Sequence, residues 1–182
     1  MSRSYCRRGL FKHALASAAF ATPIAGVTSA LADTAPRRLA VHNLHTGESL
    51  DAVYWEQGAY VPDALSAVNH VLRDFRTGDV HPIDPRLLDT MARLGARVAA
   101  KQPFSVISGY RSPRTNAMLH RESGGVATHS LHMQGMAIDI RLAGLELSKL
   151  HEAALGMRAG GVGYYPGSDF VHVDVGPVRR WG

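Results

Sequence analysis

Ser130-Leu131-His132-Met133-Gln134-Gly135-Met136-Ala137-Ile138-Asp139 is the stretch that decides the fold. From Ala137 to Arg141 it alternates, with Ile138 and Ile140 on one face and Asp139 on the other, the pattern of a half-buried strand. Positions seven apart face opposite ways on an unbroken strand, so His132 and Asp139 could not both reach one point from it. Gly135 lies between them and gives the chain a place to bend. His132 is then expected on a loop and Asp139 on the strand, both directed inward. A second alternating segment, Phe170-Val171-His172-Val173-Asp174, brings His172 from a neighbouring strand. Two imidazoles and one carboxylate suit a borderline metal such as zinc, and three ligands leave a fourth position for water, as catalytic rather than structural sites do. With ten histidines in the chain, spacing alone does not single out this triplet.

Working outward, the pattern from Arg38 to Trp55 predicts a hairpin turning at His45-Thr46-Gly47-Glu48. A helix is predicted over Pro62 to Arg76, with Leu65, Val68, Val71, Leu72 and Phe75 at helical spacing. A second helix starts at Asp84 as N-cap and Pro85 at the first helical position, with a face of Leu87, Leu88, Met91, Leu94 and Val98. Phe104 to Gly109 reads as a buried strand running into a loop. Pro113 to His120 reads as a short helix, Glu122 to His129 as a glycine-containing loop, and Ser148 to Met157 as a helix. Gly161 to Tyr165 and Phe170 to Val175 read as paired strands joined by Pro166-Gly167-Ser168. The fold class is α+β: a single domain with an antiparallel sheet and helices to one side.

The chain has 182 residues, 46% hydrophobic and 19% charged, a composition suited to one domain with a real core. Its formal charge of +5 does not imply nucleic acid, because Arg3, Arg7, Arg8 and Lys12 precede every acidic residue and their removal leaves 16 basic residues against 15 acidic. Those four cations lead into an alanine-rich apolar stretch from Leu10 to Val27. Ala30-Leu31-Ala32 then forms an A-x-A cleavage motif, so residues 1–32 are expected to be a signal peptide and 33–182 the mature domain. Arg7-Arg8, followed by Leu10, Phe11 and Lys12, resembles a twin-arginine export signal. Pro23 and Gly26 interrupt a run already short for a membrane span, and no later stretch is long enough. The single cysteine, Cys6, precedes the apolar run, so any metal in the mature domain must be held by nitrogen and oxygen.

Ser108-Gly109-Tyr110-Arg111-Ser112, the His132 to Asp139 segment, Gly160-Gly161-Val162-Gly163-Tyr164-Tyr165 and Phe170 to Asp174, in that order, resemble one superfamily: lysostaphin-type enzymes, D-Ala-D-Ala metallopeptidases and hedgehog domains. Within it the chain is most similar to the YcbK-type periplasmic murein endopeptidases, from about Leu39 through Trp181. The resemblance implies that His132, Asp139 and His172 hold one zinc ion. It implies Asp169, three residues before His172, as the catalytic base and Arg111 as the residue that engages substrate and polarises the scissile carbonyl. Asp174 is the rival to Asp169 as base, or an acceptor that orients a ligand imidazole. Ser130, His129 and Tyr110 are further candidates to line the cleft or support the ligands.

The function implied is zinc-dependent hydrolysis of peptidoglycan stem-peptide cross-links in the periplasm by an exported monomer. Two alternatives stand beside it. One is carboxypeptidase or dipeptidase action on D-Ala termini. The other is a non-catalytic, zinc-containing wall-binding module, because the hedgehog domains show that this fold can keep zinc while serving as a ligand.

Overall fold

The structure is a computed structural model that describes residues 35–123 and 126–182. The expected signal segment, residues 1–32, lies outside the described residues. An eight-stranded sheet forms the body of the molecule. Its strands are β1 (Arg37–Asn43), β2 (Ser49–Glu56), β3 (Ala59–Tyr60), β4 (Phe104–Ser108), β5 (Ala137–Leu142), β6 (Gly161–Tyr165), β7 (Phe170–Asp174) and β8 (Arg179–Trp181). Their spatial order is β3-β2-β1-β4-β5-β7-β6-β8. Pairing is antiparallel except between β1 and β4 and between β6 and β8, so the α+β sheet is mixed. No described helix is long and apolar enough to cross a membrane.

Among the described residues four helices accompany the sheet: α1 (Pro62–Val71), α2 (Pro85–Arg97), α3 (Pro113–Ser123) and α4 (Leu147–Met157). Helix α2 starts where its cap signal places it, the Asp84 side chain accepting from the Arg86 N–H at 2.9 Å. Its apolar face, Leu87, Leu88, Met91 and Leu94, is buried. These residues share one core with Leu150 and Ala154 of α4 and with Ile138, Ile140, Val171 and Val173 of the sheet. Each fully buried side chain of this size contributes about 1.5–3 kcal/mol through removal from water.

Helix α1 stops a turn earlier than its periodicity predicts. The Val71 carbonyl accepts from the Asn43 side chain at 2.8 Å and the Leu72 carbonyl from the Tyr110 N–H at 2.7 Å. Those carbonyls would have served the next helical turn, so tertiary hydrogen bonds end the helix.

The central strands fix the geometry of one sheet face. Asp139 on β5 pairs directly with His172 on β7, so their side chains emerge side by side. Ile138, Ile140, Val171 and Val173 point the other way, into the core. The bend expected at Gly135 is present: Leu131–Gln134 forms a short 3-10 turn and Gly135 ends it at φ +65°. A Cβ there would collide with the Pro82 carbonyl oxygen, while the Gly135 carbonyl accepts from the Asp84 N–H at 3.0 Å. Gly135→Ala is therefore expected to cost about 2 kcal/mol or more, the sum of backbone strain and a forced shift of the Pro82 segment. Thermal unfolding checks this.

Candidate metal centre

Three polar side chains meet on the face opposite the core. His132 comes from the 3-10 turn, where the Ser130 hydroxyl caps the start by accepting from the His132 N–H at 3.4 Å. Asp139 comes from β5 and His172 from β7. All three are buried, at 2%, 5% and 9% exposure. His132 Nε2 lies 3.2 Å from Asp139 Oδ1 and 3.2 Å from His172 Nδ1, and His172 Nδ1 lies 2.8 Å from Asp139 Oδ1. Tetrahedral bonds of about 2.0–2.1 Å would separate ligand atoms by about 3.3 Å, so the triangle is close to the size a zinc-like ion requires.

The outer hydrogen bonds decide which atoms face inward. His132 Nδ1–H donates to the Gly109 carbonyl at 2.7 Å, leaving the Nε2 lone pair toward the centre. His172 Nε2–H donates to the Asp174 carboxylate at 3.1 Å, leaving Nδ1 inward. Two imidazole lone pairs and a carboxylate oxygen thus converge with no proton assigned among them. A cation resolves that repulsion, so the donor set fits a divalent metal.

The cluster draws positive charge in either form, as protons on the inward imidazole nitrogens or as a metal ion in their place. Burial pushes the Asp139 carboxyl up, but the charges and hydrogen bonds of His132 and His172 outweigh it and hold Asp139 well below the usual carboxylate range. Burial pushes the His132 imidazole down. Burial also pushes His172 down, but Asp139 and Asp174 together outweigh it and raise the group.

Asp174 stands behind His172, fully buried. Besides His172 it accepts from the Gly161 and Gly176 N–H groups, each at 2.8 Å, and from Arg179 Nη2 at 2.7 Å. Desolvation raises its pKa, but the hydrogen bonds from His172, Gly161 and Gly176 bring it to about 2. Its oxygens are committed, so of the two roles open to it, orienting His172 is the one its surroundings match. Asp174→Asn places an amide donor among groups that already donate. It is expected to weaken metal binding about 10–100-fold, as read by competition with a chromophoric chelator.

The other candidate residues are distributed as follows. Arg111 is buried, with Nη2 3.5 Å from Asp139 Oδ2. Its Nη1 is 3.4 Å from Asn116 Oδ1, and its Nε is buried without a partner among the described residues. Asn116 also donates to the Ala127 and Thr128 carbonyls, tying the loop that follows α3 back to that helix. Ser130 and the exposed His129 line a cavity of about 480 Å³ that opens on Asp139 and His172. Tyr110 is not brought there: its ring stacks on His81, with centroids 4.7 Å apart. Asp169 is exposed, in a left-handed conformation at φ +54°, and pairs with Arg141 at 2.8 Å rather than with His132 or His172. Its neighbours Ser168 and Phe170 do line the cavity.

Sequence reasoning missed the wall made by β8. Trp181 lies over His172, with centroids 5.1 Å apart, and its Nε1–H donates to the Tyr165 hydroxyl at 2.8 Å. The signal was the alternation Gly161-Val162-Gly163. A Cβ at Gly163 would meet the Trp181 ring at 2.6 Å, and one at Gly161 would collide with the Asp174 carboxylate. Glycines on that face make room for the tryptophan and for the carboxylate behind His172.

A family model described as peptidoglycan L,D-endopeptidase MepK matches residues 31–181. The peptidoglycan L,D-endopeptidase MepK of Escherichia coli K12 is 45% identical over 168 residues, covering 92% of this chain and 91% of that protein. The probable peptidoglycan L,D-endopeptidase MepK of Haemophilus influenzae is 44% identical over 147 residues, covering 80% and 79%.

Proposed function

The chain belongs to the family of the peptidoglycan L,D-endopeptidase MepK, and from that premise we propose that it cuts L,D peptide bonds in the stem-peptide cross-links of peptidoglycan. It is a peptidase. The observation that carries the reading is the convergence of His132 Nε2, Asp139 Oδ1 and His172 Nδ1 within 4.8 Å of one another, beside a cavity that a buried arginine enters.

Amide hydrolysis needs a polarised carbonyl, a deprotonated water and a donor for the oxyanion. A divalent ion, zinc by the preference of an imidazole and carboxylate donor set, would supply Lewis acidity at this site. His132 and His172 hold their outer protons on Gly109 and Asp174, so both present fixed lone pairs. Arg111 directs guanidinium donors into the cavity, where a carbonyl oxygen gaining charge can take them. Trp181 and Phe170 supply apolar walls on its sides.

Proton transfer falls to Asp169 provided its carboxylate leaves Arg141 and turns across Ser168 into the cavity. Asp174, saturated by its donors, is not available for the step. Asp169→Asn tests it cleanly, because asparagine tolerates the left-handed backbone. Metal content should be unchanged while kcat falls about 10²-fold or more. Unchanged kcat would reduce Asp169 to a turn residue.

The proposal includes export through residues 1–32 by the twin-arginine route, action in the periplasm and a monomeric state. Digestion of purified muropeptide dimers by the purified chain, with and without chelator, tests the reaction. Mass spectrometry should show L,D-linked dimers converted to monomers only when metal is present. Intact dimers under all conditions would overturn it.

A further inference from the structure

Beyond the catalytic cavity, two smaller cavities of about 270 and 320 Å³ lie against the outer edge of the sheet. They share Leu155 and Arg180, and Arg158 lines the first. Each shares a wall residue on β8 with the catalytic cavity: Arg179 borders the catalytic cavity and the first of these, Trp181 the catalytic cavity and the second. Arg158 closes α4 in a left-handed conformation at φ +50° and is exposed, as is Arg180. Neither has an acidic partner among the described residues. Arg179, by contrast, is committed to Asp174. Alternation along β8 puts Arg179 and Trp181 toward the catalytic face and Arg180 toward α4. Free positive charge therefore continues around the edge strand from the site of cleavage.

We propose that this edge groove is a second binding site, in which Arg158 and Arg180 hold free carboxylates of the stem peptides next to the cross-link being cut. The inference rests on the peptidoglycan reading above. A cross-linked polymer cannot fit inside a 480 Å³ cavity, so most of its length lies outside, and its stem peptides carry carboxylates not used in peptide bonds. A groove bearing two unpaired guanidiniums, set apart from the catalytic cavity by the width of β8, complements such a strand. The site serves anchoring of the polymer and takes no part in bond cleavage.

The test compares the full chain with an Arg158→Asn/Arg180→Gln double variant, asparagine being chosen to keep the left-handed backbone at 158. Two readouts are taken, cosedimentation with purified sacculi across a salt series and kinetics on both sacculi and a soluble muropeptide dimer. The expected result is sacculus binding weakened about fivefold at low salt, the scale of two exposed ion pairs. KM on sacculi should rise in step, kcat should not change, and kinetics on the dimer should be unaltered. The difference should vanish at about 1 M salt, where the screening length is about 3 Å, and an Arg158→Lys/Arg180→Lys variant should recover most of the binding.

Equal sacculus binding by wild type and double variant overturns the inference, as does wild type that does not sediment with sacculi at low salt. Equal losses on dimer and sacculi also overturn it, by showing a general disturbance. Failure of the wild type to cut either substrate would instead strike the endopeptidase reading, and the sedimentation comparison would still report on the groove.

Discussion

His132→Ala is expected to abolish stoichiometric metal binding and to reduce cross-link cleavage by well over the 100-fold that loss of an outer hydrogen-bond partner costs. The residue is nearly inaccessible, and its Nε2 completes a triangle with Asp139 Oδ1 and His172 Nδ1. Removing it leaves two donors, too few to hold a divalent ion against water. The same substitution should uncouple metal from stability. In the wild type, three acceptors face one another at 2.8–3.2 Å, and a cation bound only in the folded state relieves them. Metal at about 100 times its dissociation constant contributes about 2.7 kcal/mol, which for a domain of this length raises Tm by about 5–10 °C. His132→Ala should melt at one temperature with or without metal. Elemental analysis and thermal unfolding with and without chelator check both halves. A variant that kept one metal per chain would remove His132 from the ligand set.

That Asp139 and His172 would share one sheet face was legible in the sequence for a physical reason. Strand alternation fixes which side of β5 and β7 each residue occupies, so Ile138, Ile140, Val171 and Val173 announce the core, and Asp139 and His172 are left for the other face. Gly135 marked the bend because a left-handed residue pressed against another backbone admits no side chain. Helix α2 was equally legible from its cap and its proline. What sequence did not carry was long-range competition. Helix α1 ends early because Asn43 and Tyr110, from distant segments, claim its last carbonyls. The strand Arg179–Trp181 is too short to show a period, and it forms by pairing in parallel with β6. The likeness that points to Asp169 concerns a position along the chain. Where its carboxylate turns is set locally, by a left-handed backbone and the neighbouring Arg141.

Arg111→Met is expected to lower kcat about 10²–10³-fold, the range for losing a donor to a developing oxyanion, while leaving Tm unchanged or higher. The two signs follow from one arrangement. The guanidinium side chain is only 10% exposed, and burial drags its pKa down more than Asp139 restores it. Its contacts within the protein are long, at 3.4 Å to Asn116, 3.4 Å to Ser108 and 3.5 Å to Asp139, and Nε has no partner among the described residues. A guanidinium has five donors in a planar fork, so most of this capacity is unspent within the fold. Burying a cation with such weak compensation costs stability, and an apolar side chain of similar length removes that cost. Arg111 lines the cavity, so a substrate oxygen bound there can engage the terminal nitrogens. Arg111→Lys keeps the charge but loses the fork, and should recover only a small part of kcat. Circular dichroism melts and steady-state kinetics on muropeptide dimers, at matched metal content, measure the two effects together. If Arg111→Met instead lost several degrees of Tm and kept its kcat, the arginine would be a structural ion-pair partner of Asp139, and the oxyanion would need another donor.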